Sequence, residues 1–243
     1  MTLQVAELWR FPVKSVGGER IDEAMLTAVG LEGDRAFGLR DLDSGLILTA
    51  RREPQLLMAT ARATTDRPVI TLPDGTETDD DGALSSWLER NVALAPATAE
   101  AGGTFEIQPE WETETGDWVQ WTGAAGSFHD STKSHVSLVA RSTMRDWDVR
   151  RFRTNIIIEP APGSDPGSDD DLVGHRVAIG GAELDVKKQI DRCVMVTRPQ
   201  PGGIERDLSV LRTINSERAT FLGIGALVSQ PGPVTIGDAL TTL

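Results

Sequence analysis

Apolar residues along this chain fall in short runs separated by turn-forming residues, as in VAELWRF, MLTAVGL, RAFGLRD, GLILTA, LLMATARAT and PVITLP. Each run is too short for a typical helix, so the first third predicts consecutive β-strands. PDG at 73–75 and the acidic DDDG at 79–82 break the chain. The stretch ALSSWLERNVAL then sets Leu84, Trp87, Leu88 and Val92 at helical spacing, which predicts one helix. Residues 96–128 are rich in Gly, Thr, Glu and Ala, carry Trp111, Trp118 and Trp121, and have the weakest periodicity in the chain. They predict a loop or irregular region.

A second strand-rich region opens at HVSLVA, with a short helix expected around STMRDWDV and a strand at FRTNIIIE. The connection PAPGSDPGSDDD at 160–171 has a composition that favours solvation over packing. RVAIGGAELDV predicts a hairpin turning at Gly180-Gly181, and CVMVT a further strand. LSVLRTINSERA predicts a helix with Ser209 as candidate N-cap, and IGALVSQPGPVTIGDAL two strands around Pro231-Gly232-Pro233. Many short strands with few short helices make a mainly β chain of closed antiparallel barrels or sandwiches. No internal repeat is visible.

Composition narrows the chemistry. The 243 residues include 24 basic and 37 acidic side chains, a net charge of -13, with no basic block to neutralise phosphates. That balance speaks against nucleic acid and against a membrane surface as partner. No charged n-region precedes a long apolar stretch, and no run approaches the roughly 18 apolar residues of a membrane span. The chain therefore reads as soluble and cytoplasmic. One cysteine, Cys193, and no tyrosine exclude intrachain disulfides, multi-cysteine zinc sites, thiolate-ligated iron–sulfur clusters and a tyrosine nucleophile.

Several segments have a bland and a chemical reading side by side. Cys193, in QIDRCVMVT, is expected at the start of a strand. It is either a small buried hydrophobe or a thiolate favoured by Arg192, with Asp191 placed to orient a partner or move a proton. A thiolate suits a redox metal, but one cysteine cannot hold a metal alone, so the other ligands would come from an organic cofactor. In PVKS, Lys14 and Ser15 precede Gly17 and Gly18, which makes either an exposed loop or a phosphate cradle. GLEGDRAFGL offers Asp34 and Arg35 between turn glycines, for a surface ion pair or a bidentate anion grip. RRFRTN is the densest basic cluster, and on an extended segment Arg153 and Asn155 would point to one side. FHDSTKSHVSL brings Asp130, Ser131 and Thr132 before a strand, while His129 and His135 lack a metal-binding spacing and read as structural or exposed. The acidic runs at 79–81 and 169–171 read as solvated loops. No Rossmann fingerprint, P-loop, nucleophile elbow, CxxC or EF-hand loop is present.

Taken together, FPVKS, GLEGDRAFGL, LTARREPQLL, FHDSTKSHVSLVA, RRFRTNIIIE, DRCVMVT and PGPVTIGDAL resemble, in order and spacing, the MOSC family, named for the C-terminal domain of molybdenum-cofactor sulfurases. Within it the pattern is similar to bacterial relatives of the amidoxime-reducing proteins. The resemblance implies an N-terminal MOSC β-barrel-like domain over 1–91 and a MOSC domain over 92–243. It implies a molybdenum cofactor (Mo-molybdopterin) whose metal takes its protein thiolate from Cys193. Lys14, Ser15 and Arg35 match positions that hold the cofactor phosphate, and Asp130, Ser131, Arg153 and Asn155 match positions that contact the pterin. FRTN departs from the family's commoner FRPN at Thr154. The implied activity is reduction of N-hydroxylated substrates such as amidoximes and hydroxylamines, with Asp191 or water supplying protons. Electrons would come from a separate donor, ferredoxin-, flavodoxin- or cytochrome b5-like with its reductase, because no cysteine remains for an iron–sulfur centre. Alternatives are a cofactor carrier or sulfur-transfer protein using Cys193, or an anion-binding module without redox activity. Pyridoxal phosphate is disfavoured: its Schiff base would need Lys14, Lys133, Lys187 or Lys188, and Lys14 is better explained by phosphate binding.

Overall fold

The computed structural model describes residues 2–100, 102–107, 117–164 and 167–243. The first apolar run forms β1 (Leu3–Arg10), whose inward residues Leu3, Val5 and Leu8 skip a step where the register shifts between Val5 and Glu7. β2 (Glu19–Ile21), β3 (Glu23–Thr27), β4 (Gly30–Leu31) and β5 (Phe37–Asp41) follow. GLILTA makes only an isolated bridge, Ile47 to Arg40. After it come β6 (Thr60–Arg62), β7 (Val69–Thr71) and β8 (Glu77–Thr78).

The helix of this region is shorter than its apolar spacing predicts. In α1 (Asp81–Leu88), Asp80 caps the start by accepting from Ala83 N at 2.8 Å, and Glu89 turns left-handed at the end. Val92 therefore belongs to β9 (Val92–Pro96), which pairs with β5. The region expected to be irregular contains an antiparallel pair, β10 (Gly102–Ile107) and β11 (Val119–Ala125); its residues 101 and 108–116, with Trp111, lie outside the described residues. Its glycines hide the alternation yet permit the pairing: a Cβ on Gly102 would sit 1.9 Å from Gly123 O.

The remaining elements are β12 (Val136–Ala140), α2 (Arg141–Met144), β13 (Ile156–Pro160), β14 (Arg176–Ile179), β15 (Ala182–Asp191), α3 (Leu208–Arg218), β16 (Phe221–Gln230), β17 (Gly232–Thr235) and β18 (Ala239–Thr242). The hairpin at Gly180-Gly181 is present as β14–β15. Three details differ from the sequence expectation. CVMVT is a 3-10 turn over Val194–Thr197 and not a strand. Asp207, accepting from Ser209 N and Oγ at 2.8 and 2.6 Å, caps α3, so Ser209 lies inside the first turn. The closing segment gives three strands, β16 to β18. Nor is the 160–171 connection wholly solvated: Asp169 is fully buried and accepts from Thr143 Oγ1 at 2.5 Å, while residues 165–166 lie outside the described ones.

The chain is mainly β, and seven strands close a barrel in the order β1, β13, β12, β16, β15, β14, β18 and back to β1. Only the β12–β13 pair is parallel. Leu8, Leu138, Ile156, Ile158 and Ile224 fill its interior. α3 covers the outside, where Val210 and Ile214 pack on Ile157 and Leu222. β13 is thus buried on both faces, which is why its sequence reads III without alternation. A separate core of Val13, Leu39, Leu56, Ile70, Leu84 and Val92 holds β5 to β9 and α1 together. Because β1 belongs to the barrel, the PVKS turn that follows it is anchored to both cores.

Candidate functional site

Beyond β1 the chain turns sharply, and Lys14 N donates to Phe37 O at 2.8 Å, fixing the turn to β5. Phe11 N donates to Asp34 Oδ1 at 2.7 Å, and the other Asp34 oxygen pairs with the Arg35 guanidinium. Arg35 also donates to Arg153 O at 2.9 Å, and Arg153 donates to Val16 O. The guanidinium carbons of Arg35 and Arg153 lie 4.9 and 4.7 Å from the Phe11 ring centroid. One aromatic ring thus holds two like charges together. Ser15, Arg35 and Arg153 all have left-handed backbones, with φ of 67°, 49° and 51°. Such conformations cost roughly 1–3 kcal/mol each for residues other than glycine and cluster at ligand clamps.

The Lys14 ammonium is 5% exposed and donates to Asp130 Oδ1 at 2.6 Å and to Phe128 O at 3.1 Å, with the Phe105 ring 4.2 Å away. Burial, reinforced by Arg35 and Arg153, holds its pKa below the usual lysine range although Asp130 opposes this. The Asp130 side chain is 83% exposed because it projects into a cavity of about 450 Å³. Partial desolvation within the cavity pushes its carboxyl up, but Lys14, Arg35 and Arg51 outweigh this and hold it below the usual carboxylate range. Burial lowers the Arg153 guanidinium to about 9, with Arg35 adding to the effect.

This cavity brings together the residues matched to the cofactor, along with Asp191, while Asp34 and Thr132 are not in its lining. Lys14, Ser15, Arg35, Asp130 and Ser131 line it, and so do Arg153, Asn155, Asp191 and Cys193. Their arrangement differs from the expectation in several respects. Gly17 N is not available to an anion, since it donates to Ala59 O at 2.9 Å. Arg153 and Asn155 do not share a pleated face, because Arg153 is left-handed and β13 begins only at Ile156. Asn155 is fully buried: its Oδ1 accepts from Ser137 N and Oγ at 3.1 and 2.9 Å, and its Nδ2 donates to Trp9 O at 3.3 Å. It ties β12 and β1 to the start of β13, so its first task is structural.

Cys193 follows the end of β15 and is half-buried, opening the 3-10 turn. The expected partner Arg192 is directed elsewhere. Its guanidinium is buried and donates to Leu222 O at 2.8 Å and Phe152 O at 2.9 Å, with Thr154 Oγ1 at 3.5 Å. The cation beside the sulfur is Arg51, which no spacing or charge pattern singles out within LTARREP. Burial pulls the Arg51 guanidinium down, but the nearby Cys193 and the carboxylates Asp130 and Asp191 raise its pKa. Arg192 thus anchors the thiol-bearing turn to the Arg153 turn, and Thr154 supplies an acceptor that a proline there could not. Arg192→Met is expected to lower stability by about 2–4 kcal/mol, since both carbonyls lose a buried donor. Urea denaturation with an unchanged slope checks it.

His129 and His135 are not exposed bystanders: their rings stack at 5.3 Å and 8°, and both line the cavity. His129 Nε2 has no partner, and burial drives its pKa down to about 3. In the unfolded chain this imidazole binds a proton near 6.5, so its contribution to stability is present above that pH and is lost as pH falls toward 3. Wild type is expected to lose about 1.4 kcal/mol more than His129→Gln for each pH unit below the ordinary imidazole value. Thermal unfolding of both proteins from pH 7 to pH 4 measures the difference. Glu106, Ile107 and Trp121, from the β10–β11 pair, complete one wall. Their weak periodicity gave no functional signal.

A closed β barrel carries a lone thiol at the end of β15, beside a cavity that Lys14, Arg35, Arg51 and Arg153 also line. Residues 2–118 match the family model for the MOSC N-terminal beta barrel domain, and residues 123–241 match that for the MOSC domain. The chain belongs to the MOSC family. It is 37% identical to mitochondrial amidoxime reducing component 2 of Bos taurus, over 96% of this chain and 81% of that protein. It is 24% identical to mitochondrial amidoxime-reducing component 1 of Homo sapiens, over 98% of this chain and 82% of that protein. Identity to the molybdenum cofactor sulfurase of Drosophila willistoni is 28%, over 93% of this chain and 31% of that protein.

Proposed function

We propose that this protein holds a molybdenum–pterin cofactor in the cavity and reduces N-hydroxylated compounds there. The observation that carries the reading is the convergence of Cys193, the one cysteine, with the buried Lys14 and the half-buried Arg35 and Arg153 on one cavity. The donor set fits such a group. Among the described residues no cluster of three His, Cys, Asp or Glu side chains stands ready for a bare metal ion, so a metal here needs ligands from its own cofactor. The cations suit a phosphate, and the unpartnered Nε2 of buried His129 suits the polar edge of a heterocycle.

When bound, the group supplies a two-electron redox centre that the side chains lack. Lys14, Ser15 and Arg35 hold its phosphate, Arg153 with Asp130 and Ser131 orients the pterin, and Cys193 provides the thiolate. Arg51 keeps the Cys193 sulfur facing a cation, and Arg192 fixes its backbone. Asp191, with its side chain 69% exposed and one oxygen 3.5 Å from Lys188 Nζ, reaches both solvent and cavity and carries protons inward. Reduction of an amidoxime to an amidine and water consumes two electrons and two protons. The electrons come from a separate donor protein. The molybdenum-loaded chain is expected to reduce benzamidoxime to benzamidine with a chemical or protein electron donor. Absence of turnover by loaded protein overturns the reductase reading and leaves cofactor carriage or sulfur transfer.

A further inference from the structure

The cavity mixes charge with apolar surface. Lys14, Arg35 and Arg153 line it together with Trp121, Ile107 and Leu57, and Met195 adds apolar surface two residues from Cys193. Glu106 stands on the same strand as Ile107. One of its oxygens is 3.3 Å from Arg52 Nε, and Arg52 in turn lies 4.7 Å from the Trp118 ring. The Glu106 carboxylate is therefore held in place with its second oxygen uncommitted among the described residues. Thr49 is 8% exposed, and its Oγ1 has no partner. Both Thr49 and Glu106 face the main cavity and also a side pocket of about 100 Å³. A buried hydroxyl without a partner is costly unless a ligand or water meets it. Trp121 is braced from behind by Phe105, with ring centroids 5.6 Å apart, so its position is fixed before any ligand arrives.

We infer that this wall is the recognition site for the substrate body, and that it selects aryl-substituted amidoximes and hydroxylamines over small aliphatic ones. The inference rests on the reductase reading above. The flat apolar part of the substrate packs on Trp121, Ile107 and Met195, while its N–H and O–H groups donate to Glu106 and Thr49. Lys14 Nζ lies 4.2 Å from the Phe105 ring that supports Trp121, so the wall adjoins the cation cluster, and a neutral substrate bound through Glu106 and Thr49 makes no demand on those cations.

Calorimetric binding to the molybdenum-loaded full chain, without electron donor so that nothing turns over, tests the site with benzamidoxime and acetamidoxime as probes. Trp121→Ala is expected to weaken benzamidoxime binding about tenfold and acetamidoxime binding less than about twofold, in line with the loss of one aromatic packing partner. Trp121→Phe, which keeps an aromatic face and the support of Phe105, restores benzamidoxime binding to within about threefold of wild type. Glu106→Gln weakens both ligands about tenfold. Equal weakening of both ligands by Trp121→Ala, no change in either, or wild-type affinity in Glu106→Gln overturns the inference. Wild type that binds benzamidoxime with this pattern yet never reduces it overturns the reductase reading alone. Turnover of benzamidoxime with an unchanged KM in Trp121→Ala overturns the recognition wall alone.

Discussion

Replacing Cys193 by serine is expected to lower bound molybdenum at least about tenfold while leaving the fold and the cation cluster intact. A serine hydroxyl is nearly the same size but is a hard, weakly acidic donor, and no neighbouring side chain can substitute for the soft thiolate: the described residues offer no second cysteine and no group of metal-binding residues. The backbone beneath position 193 is held by Arg192, whose bonds to Leu222 O and Phe152 O do not involve the sulfur. The half-buried side chain makes the exchange cheap in stability, within about 1 kcal/mol. Metal content by mass spectrometry, with thermal unfolding of the same samples, separates the two effects. Lost metal with an unchanged melting temperature is the expected pair of results.

Asn155→Leu is expected to cost about 3–5 kcal/mol, the largest stability effect of any single side chain at the site. Leucine has a similar volume, so the packing loss is small. What disappears is a buried network that fastens three strands: Ser137 N and Oγ lose the acceptor Oδ1, and Trp9 O loses the donor Nδ2. Two backbone groups are left buried without these partners, next to the point where the Arg153 turn enters β13. Equilibrium unfolding in urea, with the slope held constant, gives the difference directly. A residue that served only to touch a pterin would change cofactor content and leave the stability of the cofactor-free protein near wild type.

The parts of the fold that were legible in sequence are those where one physical rule dominates. β1, β5, β12 and the β14–β15 hairpin follow from short apolar runs and a Gly-Gly turn. α1 was read too long because Val92 continues the helical spacing, yet the left-handed Glu89 ends the helix and pairing with β5 claims the valine. β10 and β11 were hidden by glycines needed for close strand approach, a tertiary requirement that local periodicity cannot express. CVMVT has strand composition, but the chain must turn there to carry Cys193 past Phe152 and Leu222.

The site was legible as a set of residues and not as a set of contacts. The family resemblance points to eight side chains, and adjacency to the thiol adds Asp191; all nine line one cavity. Which cation meets which partner depends on where the turns point. Arg192, adjacent to the thiol in sequence, faces carbonyls, while Arg51, more than half the chain away, meets the sulfur. Asn155, paired with Arg153 by spacing, turns into the barrel wall. His129 carries no motif, and only its burial against His135 gives it a place at the cavity.

Under the proposed function, the cation cluster and Cys193 serve one bound group. The most direct test of this claim is the molybdenum and pterin content of the wild-type protein purified from a host that makes the cofactor. Molybdenum and pterin are expected in equal amounts, both approaching one per chain. Negligible molybdenum in wild type, no higher than in Cys193→Ser prepared alongside it, contradicts the claim.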